Sequence, residues 1–198
     1  IMSKSKLLIT RKFPQAVLDR AANDYHCVFN RTNSAWTNEE LISYSSGMEA
    51  ILCCSSDTFK ADTLKKLAKT VKIISTFSVG YEHFDLNTAK SLGVTLTNTP
   101  DVVTDSTADV AILLMLAAAR RAREALSLLT SGEWTGWTPT QLLGIQPKGR
   151  RLGILGMGRI GRAVAIRARA FGMQIHYHNR KKLSQGLENG AVYHASTD

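Results

Sequence analysis

The sequence predicts an α/β protein with two doubly wound parallel sheets, a five-stranded flavodoxin-like sheet followed by an incomplete Rossmann sheet. Five short apolar runs alternate with four helical patterns in the first hundred residues. A second alternation begins at Arg151 with an apolar run, a glycine-rich turn and a helical stretch. The chain ends at Asp198 after three strands of this second unit, whereas a complete sheet of the type has about six. We therefore expect the chain to be part of a longer protein.

The first hundred residues repeat one strand–helix unit. Five strands are predicted, over residues 7–10, 27–29, 50–54, 71–77 and 94–97. Four helices are predicted, over residues 15–22 behind Pro14, from the capping box at residues 37–40 to near Gly47, over residues 62–68, and over residues 85–92 before Gly93. Because parallel strands need crossover helices, this alternation predicts a parallel sheet covered on both faces.

A long helix is predicted next, from about residue 104 to residue 120 and onward to residue 126. It is apolar nearly all round, so we expect it to be buried, whereas Asp109 and its charged end make it unsuited to cross a membrane. Trp134 and Trp137 follow it and are either packed locally or docked on a partner subunit. The predicted domains are residues 1–100, a connecting helix and arm over residues 101–150, and residues 151–198.

Charge and cysteine content limit the class of partner and the compartment. The net charge is +9, and no Asp or Glu lies between Trp134 and Leu187. The cations surround a glycine turn or follow one helix without exposed aromatic residues between them, so we expect no nucleic-acid partner. Arg162, Arg167 and Arg169 are interpreted as a solvated helix face. Three cysteines without C-x-x-C spacing, and an N-terminus without a secretory signal, favour a cytoplasmic protein with no disulfide framework or metal site.

A G-x-G-x-x-G turn lies between an apolar run at residues 152–155, which is expected to be a buried strand, and a helical pattern. Such a turn lets the backbone approach a pyrophosphate and presents a helix N-terminus to it. The predicted dinucleotide-binding residues of the turn are Gly156, Gly158, Arg159, Ile160 and Gly161. The alternative is a glycine-rich turn with no ligand.

The next strand, over residues 173–178, ends in Asn179, Arg180, Lys181 and Lys182, with no carboxylate. An Asp or Glu at this position bonds the ribose 2′-hydroxyl of NAD and repels a 2′-phosphate, whereas amide and cationic side chains bind that phosphate. Asn179, Arg180 and Lys181 are therefore predicted to bind the cofactor, with NADP favoured and NAD still possible. The alternative is an ordinary solvated cluster of charges.

Several motifs in fixed order carry a family resemblance, at residues 77–85, 93–100, 107–109 and the glycine turn. Together they make the chain resemble the D-isomer-specific 2-hydroxyacid dehydrogenases over nearly its whole length. Residues 132–137 and 178–180 resemble the glyoxylate/hydroxypyruvate reductase branch, which favours NADPH. The resemblance implies a substrate-binding first domain, a cofactor-binding second domain, a site in the cleft between them, and a homodimer.

The resemblance also implies roles for individual residues. Val79 and Gly80 hold the substrate carboxylate through backbone N–H groups, unless they form only a strand-ending turn. Thr107 lies near the nicotinamide, with a helix-interior threonine bonding its own backbone as the alternative. Trp137 reaches the substrate pocket of a partner subunit. The small-molecule partner is a 2-keto or 2-hydroxy acid.

The implied reaction is the NADPH-dependent reduction of glyoxylate, hydroxypyruvate or a similar 2-keto acid to the D-2-hydroxy acid. The catalytic Arg, Glu and His of the family lie beyond residue 198, so this chain is expected to lack catalytic residues and to be inactive as it stands. His83 is interpreted as structural. The alternatives are another substrate, such as phosphoglycerate or formate, or a non-catalytic NAD(P)-sensing protein like the co-repressors related to this family.

Overall fold

A computed structural model describes residues 4–197, which form two compact units that divide after Asp101. Residues 1–3 and 198 lie outside the described residues. The prediction that the N-terminus carries no secretory signal therefore falls partly outside them. Residues from Val102 onward cluster with the second sheet, including the segment predicted as a connection. The division into three domains stays a prediction.

The first unit alternates strands and helices throughout. Its elements are β1 (Lys6–Ile9), α1 (Gln15–Asp24), β2 (His26–Phe29), α2 (Asn38–Tyr44), β3 (Ala50–Cys53), α3 (Ala61–Leu67), β4 (Ile73–Thr76), α4 (Leu86–Ser91) and β5 (Thr95–Thr97). The five strands are parallel, in the order β2-β1-β3-β4-β5. This order confirms the predicted flavodoxin-like sheet.

One row of apolar side chains crosses four of these strands. Leu8 pairs with Ile51, Ile51 with Ile74, and Ile74 with Leu96. The first three are at most 1% exposed and form the main core of the unit. The capping box predicted at α2 is confirmed, since the Thr37 hydroxyl accepts from the Glu40 N–H and the Glu40 carboxylate accepts from the Thr37 N–H. The core holds the five strands in register, and the strands in turn position the loops at the carboxyl edge of the sheet.

The second unit contains a three-stranded parallel sheet in the order β6-β7-β8. Its elements are α5 (Thr104–Ala119), α6 (Ala122–Thr130), β6 (Arg151–Leu155), α7 (Arg159–Ala170), β7 (Gln174–His178), α8 (Gln185–Glu188) and β8 (Val192–His194). Helices α5 and α7 pack together over a core that includes Ile112, Met157 and Tyr177. None of the described helices is long and apolar enough to cross a membrane.

Two predictions about the long helix were wrong. The helix does not continue to residue 126, because Arg121 adopts a left-handed conformation (φ 54°) and a new helix, α6, begins after it. Nor is α5 buried all round, since Leu113 and Leu114 are each 63% exposed. Among the residues of α5, Ala108 and Ile112 are buried.

The interpretation of residues 152–155 as a buried strand was also wrong. Strand β6 lies at the sheet edge, pairs with β7 alone among the described strands, and leaves Leu155 76% exposed. A further correction concerns Arg167 and Arg169, which do not form a solvated face. Arg167 bonds Asp105 and Asp109 of α5, and Arg169 donates to the carbonyl oxygens that end α8. A run of apolar or basic residues in the sequence does not show which other elements will pack against those side chains.

Candidate functional site

The glycine turn leaves the carboxyl end of β6 and enters α7. Gly156 has a φ of +96°, a conformation that glycine adopts without strain and other residues rarely adopt. Its N–H donates to the carbonyl oxygen of His178 at 2.9 Å, which ties the turn to the end of β7. The glycine at this position is therefore required by the direction in which the chain turns.

The other two glycines of the motif differ in their surroundings. A Cβ on Gly161 would lie 2.3 Å from the Gly156 carbonyl oxygen, so α7 packs against the turn at a distance that only glycine permits. A Cβ on Gly158 would meet nothing within 4 Å, which leaves open space above the turn. The first hydrogen bond of α7 runs from the Arg162 N–H to the Gly158 carbonyl, and the N–H groups ahead of it are those that a helix offers to an anion.

Asn179 connects the end of β7 to the same turn. Its side-chain oxygen Oδ1 accepts a hydrogen bond from the N–H of Met157 at 2.7 Å. The Met157 side chain is 1% exposed and belongs to the core of the unit. The glycine turn is therefore held from inside by packing and from the side by Asn179.

A cavity of about 880 Å³ opens at this turn. It is lined by Leu155, Gly156, Met157, Gly158, Arg162, His178, Asn179, Arg180, Lys181 and Leu183. Three of these residues are cations and none is a carboxylate, so the cavity is suited to an anionic ligand. Lys182 takes no part, because its Nζ lies 3.8 Å from a carboxylate oxygen of Glu188.

The structure brings together part of the predicted cofactor set. Five of its members line the cavity: Gly156, Gly158, Asn179, Arg180 and Lys181. Arg159, Ile160 and Gly161 form the first turn of α7 instead. Thr107 lies exposed near the start of α5 and does not line the cavity. Sequence reasoning missed Arg162, although its position one helical turn after Gly158 was a signal that it could face the same ligand.

The loop that follows β4 contains Val79 and Gly80, in the first unit. Its carbonyl groups are occupied: Ser78 accepts from the Thr99 N–H, Val79 from the Asn98 side chain, and Gly80 from the Ser78 hydroxyl. Among residues 4–197, no partner accepts from the N–H groups of Val79 and Gly80. The loop therefore presents two unused donors, an arrangement suited to a carboxylate.

His83 supports this loop from below. Its Nε2 lies 3.0 Å from the Thr76 hydroxyl, which in turn lies 2.9 Å from the Ser78 hydroxyl. The imidazole is 9% exposed and contacts the Phe84 ring, with the ring centroids 4.2 Å apart and the planes tilted by 40°. Its burial lowers the pKa of His83 below the usual value of 6.5. The neutral ring thus belongs to the packing of the first unit.

Trp137 lies in the second unit, in the segment between α6 and β6. Its side chain is 79% exposed, and Trp134 nearby is 51% exposed. Neither ring stacks on another aromatic ring in the described part of the chain. Two large apolar surfaces are therefore left for contact with something other than the described residues.

Comparison with known proteins gives a consistent result. Residues 7–196 match the model of the D-isomer specific 2-hydroxyacid dehydrogenase catalytic domain. A glycerate dehydrogenase from Hyphomicrobium methylovorum is 35% identical over all of this chain and 62% of its own length. A crystal structure from Polaromonas sp., described as an NAD-binding D-isomer specific 2-hydroxyacid dehydrogenase, is 44% identical with a TM-score of 0.91 and covers 98% of this chain and 61% of that one.

A further solved structure is the NADPH-dependent glyoxylate/hydroxypyruvate reductase of Sinorhizobium meliloti. It is 29% identical, with a TM-score of 0.82, and the match covers 98% of this chain and 59% of that one. The chain thus spans about three fifths of the length of the relatives that it matches.

Proposed function

The chain belongs to the D-isomer-specific 2-hydroxyacid dehydrogenase family, and from this premise we propose that it forms the substrate-carboxylate and cofactor-phosphate sites of an NADPH-dependent 2-keto acid reductase. The observation that carries the proposal is the cavity at the glycine turn, which combines Arg162, Arg180 and Lys181 with no carboxylate. The proposed substrates are glyoxylate and hydroxypyruvate, which are reduced to the D-2-hydroxy acid.

The residues around the turn fit a dinucleotide phosphate. Gly161 lets α7 reach the turn, Gly158 leaves room above it, and the first turn of the helix offers its N–H groups. These features suit the pyrophosphate that NAD and NADP share. The preference for NADP rests on Arg180 and Lys181, which lie at the end of β7, where an NAD enzyme carries a carboxylate.

The first unit is proposed to bind the substrate. A 2-keto acid carries a carboxylate beside its reactive carbonyl, and the unused N–H groups of Val79 and Gly80 are the proposed donors to it. Hydrogen bonds from neutral backbone donors to an anion are stronger than those to a neutral acceptor, and two adjacent donors fix the orientation of the acid. When bound, the nicotinamide supplies the hydride that reduces C2.

The names of two relatives support this choice of substrate. Oxidation of the C2 hydroxyl of glycerate gives hydroxypyruvate, so a glycerate dehydrogenase and a hydroxypyruvate reductase act on the same pair of molecules in opposite directions. Both molecules are small 2-oxygenated acids whose carboxylate the loop at Val79 and Gly80 would hold. Phosphoglycerate and formate remain competing substrates: 3-phosphohydroxypyruvate, the oxidised form of phosphoglycerate, tests the first, and formate supplied with NADP or NAD tests the second.

We also propose that the protein is a homodimer and that Trp137 contacts the second copy. Leu113 and Leu114 on α5 and Leu126 and Leu129 on α6 are each more than half exposed, and Trp137 follows them in the same unit. Exposed apolar surface of this extent favours association, and tryptophan is enriched at interface centres. Trp137→Ala is expected to weaken the dimer and raise KM, as measured by sedimentation and steady-state rates.

The central experiment measures reduction rates with the protein as its gene encodes it. Glyoxylate, hydroxypyruvate, 3-phosphohydroxypyruvate and pyruvate are supplied in turn, with NADPH or with NADH. We expect glyoxylate and hydroxypyruvate to give the highest kcat/KM, and NADPH to bind at least about tenfold more tightly than NADH. Equal dissociation constants for the two cofactors would contradict the assignment of Arg180 and Lys181 to a 2′-phosphate.

A further inference from the structure

We propose that the first unit binds a small organic anion, a monocarboxylate with an aromatic or branched apolar body, in a cavity between α1 and the end of β2. The cavity has a volume of about 400 Å³. It is lined by Arg11, Lys12, Gln15, Leu18, Asp19, Ala22, Phe29, Asn30 and Arg31. These residues belong neither to the glycine turn nor to the loop of Val79 and Gly80, so the inference goes beyond the proposed function.

The cavity is separate from the loop that is proposed to hold the substrate. It lies at the carboxyl ends of β1 and β2, whereas Val79 and Gly80 follow β4. Strands β1 and β3 lie between β2 and β4 in the sheet, and three strand spacings amount to about 14 Å. A ligand in this cavity therefore does not take the place of the 2-keto acid.

The floor of the cavity is apolar. Leu18 and Ala22 are four positions apart and so lie on the same face of α1, and Phe29 at the end of β2 lines the cavity with them. Leu18 and Phe29 also pack against the core cluster that contains Ile9 and Ala21, which holds the floor in place. An apolar floor with a few polar groups around it is typical of sites for small organic molecules.

Two cations at the cavity are available to an anion. Among residues 4–197, neither the Lys12 ammonium group nor the Arg31 guanidinium group has a hydrogen bond or an ion pair. Arg11 differs from them, because its guanidinium group lies 2.7 Å from a carboxylate oxygen of Asp57. Lys12 and Arg31 are therefore the groups that we assign to the carboxylate of the ligand.

The charge balance of the cavity favours a ligand with one carboxylate. Asp19 is the only acidic residue of the lining, and one of its oxygens accepts from the Gln15 side chain at 2.7 Å. Lys12 and Arg31 together with Asp19 leave a net charge of +1, which a single carboxylate neutralises. A second negative charge on the ligand would have no free cation to meet it.

The loops that carry the two cations are tied together. The Lys12 N–H donates to the side-chain oxygen of Asn33 at 2.9 Å. The side chain of Asn30, which is 5% exposed, donates to the carbonyl oxygens of Thr10 and Ser34 at 3.0 and 2.9 Å. The loop after β1 and the loop after β2 thus keep a fixed relation, so little order has to be gained when an anion binds between them.

The test uses 3-phenylpropionate as the probe, because it joins a carboxylate to an aromatic body and has no keto group to be reduced. The protein as its gene encodes it is titrated, and the methyl signals of Leu18 and Ala22 are followed by nuclear magnetic resonance. We expect saturable shifts with a dissociation constant below about 1 mM. 3-Phenylpropan-1-ol lacks the charge and acetate lacks the ring, so each should bind at least about tenfold more weakly.

Two variants test the residues. The double variant Lys12→Gln, Arg31→Gln should weaken 3-phenylpropionate binding at least about fivefold. Ala22→Leu, which places a larger side chain on the cavity floor, should weaken it at least about tenfold. The matched control is the double variant Arg20→Gln, Lys65→Gln, which removes two cations outside the lining and should leave the affinity within about twofold.

Circular dichroism shows whether each variant keeps its fold. The absence of saturable shifts up to about 10 mM 3-phenylpropionate overturns the inference. Equal affinities in the wild type and in Lys12→Gln, Arg31→Gln overturn the assignment of the carboxylate to these cations. Shifts at the methyl groups of Val79 without shifts at Ala22 place the probe in the proposed substrate loop, and they overturn the separate site.

Discussion

A Cβ atom on Gly161 would lie 2.3 Å from the carbonyl oxygen of Gly156, and 3.2 Å from its carbonyl carbon. Both atoms belong to the backbone, so neither can move aside without a shift of the turn or of α7. The first and third glycines of the motif are therefore coupled: one makes the turn, and the other lets the helix pack on it.

Gly161→Ala is expected to destabilise the second unit by roughly 1–3 kcal/mol, because the added methyl group forces the helix away from the turn. Cofactor binding should fall with it, since the helix N-terminus moves. Urea unfolding and NADPH titration measure the two effects. Gly153→Ala is the control, because a Cβ there meets nothing within 4 Å and should change stability by less than about 0.5 kcal/mol. A Gly161→Ala protein that unfolds and binds like the wild type would show that the packing adapts.

Asp57→Ala is expected to cost about 3–5 kcal/mol, because it leaves the guanidinium of Arg11 buried and unpaired. The pair is 2.7 Å apart with side chains 9% and 2% exposed, and Asp57 also accepts from Thr10 and from the Cys54 N–H. Denaturant unfolding measures the loss. Asp62→Ala, on the surface of α3, is the matched control and should cost less than about 1 kcal/mol. Equal losses of unfolding free energy in Asp57→Ala and Asp62→Ala would contradict the stabilising role given to the buried Arg11–Asp57 pair.

Cys53 and Cys54 should react very differently with iodoacetamide in the folded protein. Burial, together with the charge of Asp57, raises the pKa of the Cys53 thiol, and the side chain is fully buried. Cys54 is half-buried beside the Ser56 hydroxyl, and Cys27 is half-buried with a pKa that burial raises. We expect Cys54 to be alkylated first and Cys53 only on unfolding, as followed by peptide mass spectrometry. The first adduct should be lost in Cys54→Ser.

Stability of the first unit should fall as the pH drops below about 6.5. Burial lowers the pKa of His83 in the folded state, so below the usual histidine value the unfolded chain binds more protons and is favoured. Each pKa unit of this difference corresponds to about 1.4 kcal/mol. His83→Gln should reduce the loss in unfolding free energy between pH 7.5 and 5.5. If the unfolding free energies of the wild type and His83→Gln changed with pH in parallel, His83 would not be the source of the pH dependence.

Much of the fold could be predicted because its signals are local. The five strands of the first sheet, the capping box of α2 and the turn at Gly156 each depend on residues close together in the sequence. Strand ends were less accurate: the fourth strand was predicted over residues 71–77 and spans Ile73–Thr76. Val71 is apolar and buried like a strand residue, but the sequence does not show where strand pairing ends.

The break between α5 and α6 shows why other features could not be predicted. Helix propensity continues through residues 120–126, and no proline or glycine interrupts it. In the structure the carbonyl of Ala119 accepts from the Ile145 N–H at 2.7 Å, and Arg121 turns into the left-handed region. Ile145 is more than twenty positions further along the chain, so the residues next to Ala119 in the sequence give no indication of this contact.

The sequence by itself determined the two α/β units, the glycine turn and the absence of a carboxylate after the seventh strand, because periodicity, glycine conformation and residue chemistry are properties of short segments. The tertiary structure decided which cations reach the cavity: Arg162, Arg180 and Lys181 line it, whereas Lys182 pairs with Glu188 and Arg167 with α5. It also decided that Asn179 bonds Met157. Such choices depend on the direction of each side chain and on partners brought near by folding, which distance along the sequence does not encode.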